Sequence, residues 1–302
     1  MEPAIEIRNL RKIYSGGIEA VSDISFSVRR GSFYALLGPN GAGKSTILGI
    51  ISSLIRKTSG QVSICGYDLD RQEFHAKQMI GIVPQEFNMN LFESPLAILR
   101  NQAGYFGVPF AEADKRIEKY LRLMHLWERR NAPARSLSGG MKRRLMIARG
   151  IIHEPAVLIL DEPTAGVDIE IRHHTWEFMK TINRSGVTVI LTTHYLEEAE
   201  NLCDRVAIIN KGKIMLETDR NQIKSYLDSV SYKVETESEI PADFRLEKYA
   251  WEKVDSRNLE VLLPKGENMD GLLSALIAAG LGIMNFETKS NKLEQLFVKI
   301  TH

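Results

Sequence analysis

One nine-residue stretch, "GPNGAGKST" at positions 38–46, constrains the fold more than any other feature of the chain. It follows the apolar run Phe33 to Leu37, which reads as a buried strand. It precedes Ile47, Leu48, Ile50, Ile51 and Leu54, apolar residues recurring at helical spacing. Strand, glycine loop and helix in that order form a phosphate-binding arrangement. Gly38, Gly43, Lys44 and Ser45 satisfy the pattern G-x-x-x-x-G-K-S. The glycines let backbone N–H groups curl around phosphate oxygens, Lys44 places a cation on the β and γ phosphates, and the Ser45 hydroxyl can ligate Mg²⁺. Pro39, Asn40, Gly41, Ala42 and Thr46 complete the loop.

"AVLILDEPTAGVD", residues 156–168, carries the complementary chemistry. Val157 to Leu160 is too short for a helix and suits a parallel core strand. It ends in Asp161 and Glu162. Ligands of open α/β sheets gather at the carboxyl ends of strands, so both carboxylates are expected to face the nucleotide. Asp161 suits Mg²⁺, directly or through water, and Glu162 can orient an attacking water. Two solvated acids in a strand-end turn would be the plainer alternative, and the phosphate loop argues against it. "VTVILTTH", residues 187–194, reads as a second such strand ending in His194. "IGIVPQEF", residues 80–87, repeats the design with Gln85. Each polar residue alone would pass for a strand terminator. Their convergence on one edge is the stronger sign.

A further phosphate-facing element is "LSGGMKRRLMIARG", residues 137–150. It reads as a Ser-Gly-Gly turn opening a basic amphipathic helix. Ser138, Gly139 and Gly140 offer a hydroxyl and unpaired helix N-terminal N–H groups, a second anion site.

Together these motifs resemble the nucleotide-binding subunits of ABC ATPases. "GPNGAGKST" resembles Walker A, Gln85 the Q-loop, "LSGGM" the signature motif, "VLILDEPTAGVD" Walker B with its D-loop, and His194 the switch histidine. The order matches across roughly residues 4 to 220. The resemblance implies an α/β P-loop NTPase fold of the ABC ATPase type, with a mixed core sheet and a helical subdomain at about 86–150 inside an ATP-binding domain spanning 1–220. It implies ATP and Mg²⁺ as ligands, with Tyr14 stacking on adenine and Asp168 contributing at the nucleotide. Glu162, His194 and Gln85 would be catalytic, and Ser45, Gln85 and Asp161 would hold the metal. Met141 departs from the family pattern, which has Gln there. Two chains are expected to dimerise head to tail, the Ser138 site of one closing over the ATP held by Lys44 of the other.

A finer resemblance, through "SLSGGMKRRLMIARG" and "TTHYLEEAENLCDRVAIINKGKI", is to ABC-2-type exporters. It implies a separate integral membrane permease and a peripheral position on the cytoplasmic side of the cell membrane. The composition agrees. The 302 residues suit two domains, or one with an appendage, and the net charge of +1 gives no bulk attraction to nucleic acid. Cys65 and Cys203 are isolated, as expected of a reduced cytosolic chain. No signal peptide is expected. The longest apolar stretch, Leu272 to Met284, is too short to span a bilayer. The alternative is a soluble ABC protein acting on nucleic acid or the ribosome. Such proteins usually carry tandem cassettes, a long coiled coil or zinc-binding cysteines, and none is visible here. An importer ATPase would use the same chemistry. The transported substrate would be bound by the membrane chain.

Between Gln85 and the signature, "SPLAILRNQAGYFG" begins with a Ser cap and Pro at the first helical position. Phe110, Ala113, Ile117, Leu121 and Met124 then form one apolar stripe. Phe87, Met89, Leu91 and Phe92 concentrate large apolar groups in a loop, either as loop core or as a partner groove. Residues 221–302 read as a small α+β accessory domain: a helix at "NQIKSYLDS", strands at "VSYKVETE", "YAWEKVD" and "NLEVLLP", a helix at "MDGLLSALIAAG", a strand at "LGIMNFETK" and a final helix at "NKLEQLFVKITH". Dimerisation or regulation is the expected role.

Overall fold

The computed structural model describes residues 2–166, 169–219, 229–241, 244–246, 248–264 and 266–289. The chain divides into two compact units, Met1–Thr218 and Asp219–His302.

The apolar runs of the first unit become strands β3 (Phe33–Leu37), β6 (Ile80–Val83), β7 (Val157–Asp161), β8 (Thr188–Thr193) and β9 (Arg205–Asn210). Every residue of β3 and β8 is buried, as expected for parallel strands covered on both faces. With β10 (Lys213–Asp219) they make a six-stranded sheet in the order β10-β9-β3-β8-β7-β6. The β3–β8, β3–β9, β7–β8 and β6–β7 pairs are parallel. Only Lys211 and Gly212 join β9 to β10, both at positive φ, so this last pair is a hairpin and the sheet is mixed. The register pairs Leu37 with Thr193, Thr192 with Asp161 and Leu160 with Val83. Four strands therefore end level at one edge.

A second, antiparallel sheet has the order β2-β1-β4-β5, from β1 (Ile5–Ile13), β2 (Glu19–Val28), β4 (Ser59–Ile64) and β5 (Tyr67–Asp68). Helix α1 (Lys44–Ile51) buries Ile47, Leu48, Ile50 and Ile51. These side chains share one core with Ile5, Ile7 and Leu10 of the second sheet and Tyr34, Leu36 and Ile190 of the first. Leu54 does not belong to that face. It lies beyond the end of α1 and is 78% exposed.

Helices α2 (Glu73–Gln78), α3 (Pro95–Tyr105), α4 (Phe110–Leu123), α5 (Gly139–Ile151), α6 (Ile169–Arg184) and α7 (Leu196–Leu202) complete the unit. Ser94 caps α3, its Oγ accepting from the Ala97 N–H at 3.3 Å, with Pro95 at the first helical position. Along α4, Ala113, Ile117, Leu121 and Met124 are buried. Phe110 departs from the expected stripe. It lies one turn before Ala113, is exposed, and sits under the Arg100 guanidinium at 5.0 Å.

The second unit is an antiparallel sheet of order β12-β13-β11-β14, from β11 (Ser229–Thr236), β12 (Trp251–Lys253), β13 (Asn258–Pro264) and β14 (Ile283–Lys289). Its helix, Met269–Ala278, is capped by Asn268, whose Oδ1 accepts from the Gly271 N–H. Val234, Leu259, Val261, Leu272, Leu276 and Leu281 form its core. The apolar stretch Leu272 to Met284 is thus split between helix and strand. The expected helices at 221–229 and 291–302 lie outside the described residues, except that Ser229 opens β11. No described helix is long and apolar enough to cross a membrane.

Candidate nucleotide site

Backbone crowding dictates two of the three glycines of the loop between β3 and α1. A Cβ at Gly38 would stand 2.4 Å from the Ile209 carbonyl oxygen. One at Gly43, where φ is +105°, would stand 2.5 Å from the Ala20 carbonyl oxygen. Gly43 is also the N-cap of α1 and has no side chain to bond the first-turn N–H groups. Those donors open on a cleft of about 290 Å³ lined by Ala20, residues 40–46, Gln85 and Glu162. Pro39 contributes its carbonyl, which accepts from the Ala42 N–H at 3.2 Å.

Lys44 is 4% exposed. Its Nζ donates to the Gly38 and Pro39 carbonyls at 2.6 and 3.1 Å and lies 3.6 Å from Glu162 Oε1. Burial pushes its pKa below the usual lysine range, and the Glu162 and Asp161 carboxylates oppose that shift. A buried cation at a helix N-terminus, beside free N–H donors, is suited to a polyphosphate.

Glu162 begins the turn after β7 with φ +43°. Its N–H donates to Thr192, to both the carbonyl oxygen and Oγ1 at 3.1 Å. Thr192 Oγ1 in turn donates to Asp161 Oδ1 at 2.5 Å. One threonine of β8 therefore orients both acids. The motif reading overlooked it, although a polar residue two before His194 in an apolar strand was the available signal. His194, just past β8, brings Nδ1 to 3.3 Å from Glu162 Oε2, a close approach without hydrogen-bond alignment. Gln85 is exposed just past β6. Tyr14 sits at the rim, its hydroxyl 3.3 Å from Thr46 Oγ1 and its ring under Lys12 at 4.8 Å.

The structure therefore brings residues 38–46, Gln85, Asp161, Glu162 and His194 to one strand edge, with Tyr14 beside them. Ser138, Gly139 and Gly140 stand apart and do not line the cleft. Ser138 is the N-cap of α5, its Oγ accepting from the Met141 N–H at 3.3 Å. Ser138 and Gly139 are exposed, whereas a Cβ on the buried Gly140 would stand 3.0 Å from Ile171 Cγ2. Asp168 lies outside the described residues.

A glycine loop running from a parallel strand into a helix, with a lysine beneath it and a carboxylate pair at the end of the next strand but one in the sheet, defines a P-loop nucleoside triphosphatase. Comparison with known proteins narrows the class. The ABC transporter family model matches residues 21–165. The linearmycin resistance ATP-binding protein LnrL of Bacillus subtilis (strain 168) is 34% identical over 305 residues, which cover 98% of each chain. The Nod factor export ATP-binding protein I of Ralstonia nicotianae is 41% identical over 211 residues, 70% of this chain and 65% of that relative, so the match spans a little under two thirds of its length. Among solved structures, cbiO1 of Clostridium perfringens, part of the ABC transporter complex cbiONQ, superposes with a TM-score of 0.69 at 28% identity, covering 74% of this chain and 92% of that one. The ATP-binding cassette MJ0796, in a dimeric post-hydrolysis state with ADP and Pi, gives 0.64 at 26% identity over 72% of this chain and 98% of that one. The chain belongs to the ABC transporter family, as one of its ATP-binding and ATP-hydrolysing proteins.

Proposed function

We propose that the protein is the ATPase subunit of an ABC-2-type export system, lying on the cytoplasmic face of a membrane through a separate permease, and that ATP closes two copies of it head to tail. The observation that carries this reading is the separation of two phosphate-facing elements within one chain. The cleft around Lys44 contains no residue of the Ser138–Gly140 turn. Ser138 and Gly139 are exposed at a helix N-terminus and are free to face the nucleotide held by a second copy.

In this reading residues 38–46 hold the triphosphate, Tyr14 supports the adenine, Glu162 takes a proton from the attacking water, and His194 steadies the γ-phosphate beside it. Asp168 contributes at the nucleotide across the dimer. Among the described residues no cluster of three or more His, Cys, Asp and Glu is arranged to hold a metal. The Ser45 hydroxyl, Gln85 and Asp161 would hold Mg²⁺ as oxygen donors beside the phosphates. When bound, Mg²⁺ neutralises phosphate charge. Residues 1–220 form the ATP-binding domain, with its helical subdomain at about 86–150, and 221–302 an accessory domain for dimerisation or regulation. Export as the direction is supported by the relatives named for Nod factor export and linearmycin resistance. Stretches such as "VPQEFNMNLFE" are also similar to the ATP-binding subunit YadG.

The test separates the two elements. Photo-crosslinking of an ATP analogue should be lost in Lys44→Ala. In Ser138→Arg it should remain near the wild-type level, while ATP-dependent dimerisation and turnover disappear. If monomeric Ser138→Arg fails to bind nucleotide, the turn acts within its own chain and the head-to-tail reading fails.

A further inference from the structure

Arg143 lies on α5, five residues after Ser138, and is 3% exposed. Its guanidinium reaches out of the helix to the loop that follows β6. Nη1 donates to the Pro84 carbonyl at 2.9 Å and Nη2 to the Gln85 carbonyl at 2.7 Å. The same guanidinium lies over the Phe87 ring, 5.3 Å from its centroid. Further along α5, Arg149 Nη1 donates to the Asn88 carbonyl at 2.9 Å, and its Nη2 bonds Asn88 Oδ1. The helix opened by Ser138 thus grips the Gln85 loop at two points, Pro84–Gln85 and Asn88.

We propose that Arg143 is a positioning residue that couples the two phosphate-facing elements of one chain, its guanidinium fastening the backbone of Gln85 to the helix that begins at Ser138. This rests on the roles proposed above for Gln85 and Ser138. The physical reason is the rigidity of the tie. Two charge-assisted hydrogen bonds leave one planar cation in a fixed fork and end on consecutive carbonyls. Arg143 Nε has no hydrogen-bond partner among the described residues, so these two carbonyls carry the hydrogen bonding of a buried charge. A displacement of Gln85 must either carry α5 with it or leave that cation unsatisfied, which is costly in a buried site. A shift of Gln85 on its own nucleotide is therefore delivered to Ser138, and through it to the nucleotide of the partner copy. ATP use by the dimer becomes cooperative.

The experiment uses the full chain and four variants: Gln85→Ala, Arg143→Met, Arg143→Lys and the double variant Gln85→Ala with Arg143→Met. Three quantities are measured: the Hill coefficient of ATPase activity against ATP, the Mg²⁺ concentration for half-maximal activity, and the affinity for a fluorescent ATP analogue without Mg²⁺. Arg143→Met should lower the Hill coefficient from about 2, the number of sites, toward about 1. It should raise the Mg²⁺ requirement about tenfold, leaving Mg²⁺-free nucleotide affinity within about twofold. The double variant should be no worse than Gln85→Ala alone, because Arg143 acts through that residue. Arg143→Lys, a point charge that serves one carbonyl, should fall between wild type and Arg143→Met, and it carries the test should the Met variant not fold. Wild-type cooperativity and Mg²⁺ dependence in the Arg143 variants would overturn the coupling, as would additive effects in the double variant, which mark plain packing. Wild-type turnover and Mg²⁺ dependence in Gln85→Ala would instead overturn the role given to Gln85, and the coupling with it.

Discussion

Replacing Glu162 by Gln changes charge while sparing shape, and the surroundings of Glu162 say what should follow. Its backbone bonds to Thr192 use the N–H group, which the substitution leaves alone. Its carboxylate lies 3.6 Å from Lys44 Nζ and 3.3 Å from His194 Nδ1. At an effective dielectric of about 20, a pair of unit charges at the Lys44 distance attracts by roughly 5 kcal/mol, most of it offset by desolvation. Without the carboxylate, the ammonium is no longer shared between Glu162 and phosphate, although it keeps the Gly38 and Pro39 carbonyls, and one negative charge facing the triphosphate is gone. ATP affinity should hold or tighten, by up to about tenfold. Hydrolysis should fall by about 10²–10⁴, the usual contribution of a positioned general base. That is roughly 3–5 kcal/mol of barrier. An ATP titration followed by light scattering of the ATP-bound dimer measures the first, and single-turnover hydrolysis measures the second. Dimer should accumulate because the step that reopens it is blocked. Turnover within tenfold of wild type, or loss of ATP binding, refutes the reasoning.

Two further expectations concern the pH response and the partner. His153 Nε2 lies 2.9 Å from the Ile80 carbonyl oxygen, its ring stacks on Phe106 at 3.6 Å, and burial lowers its pKa from 6.5 to about 4. Between those values the unfolded chain binds a proton that the folded chain refuses. Stability should therefore fall as pH drops through that window, by roughly 3 kcal/mol at pH 4. Urea titrations of wild type and His153→Gln should diverge over this range, and parallel curves would contradict the linkage. In the loop after Gln85, Phe87 and Phe92 are 42% and 77% exposed, so they serve a surface rather than a loop core. Phe87→Ala combined with Phe92→Ala should cost about 2 kcal/mol or more of permease binding. Membrane pelleting with and without co-expressed permease reads this directly, and wild-type pelleting of the double variant would place the docking groove elsewhere.

The nucleotide cleft was legible in the sequence because its chemistry is local. The loop, its lysine and the following helix are contiguous, and each strand that delivers Gln85, Asp161 or His194 is a mainly apolar run followed by a polar residue. Parallel strands end level, so separate motifs could be assigned to one edge before any coordinates. The β1–β2–β4 sheet was not legible in the same way. Along β1 the register shifts between Ile7 and Leu10, and Asn9 sits at positive φ, so the buried residues lose the period of two that marks a half-buried strand. Leu54 and Phe110 fit helical spacing yet stay exposed, because periodicity shows which residues share a face and not where the packed length ends. Thr192 and Arg143 lie inside the stretches 187–194 and 137–150, yet the motifs give neither a role. Their partners, Asp161 at 31 residues away and Gln85 at 58, are neighbours only after folding. The separation of Ser138 from Lys44 within one chain is likewise a property of the fold. Both elements are ready anion sites by sequence, and only the packing of α5 against the loop that carries Gln85 sets Ser138–Gly140 outside the cleft lined by residues 40–46.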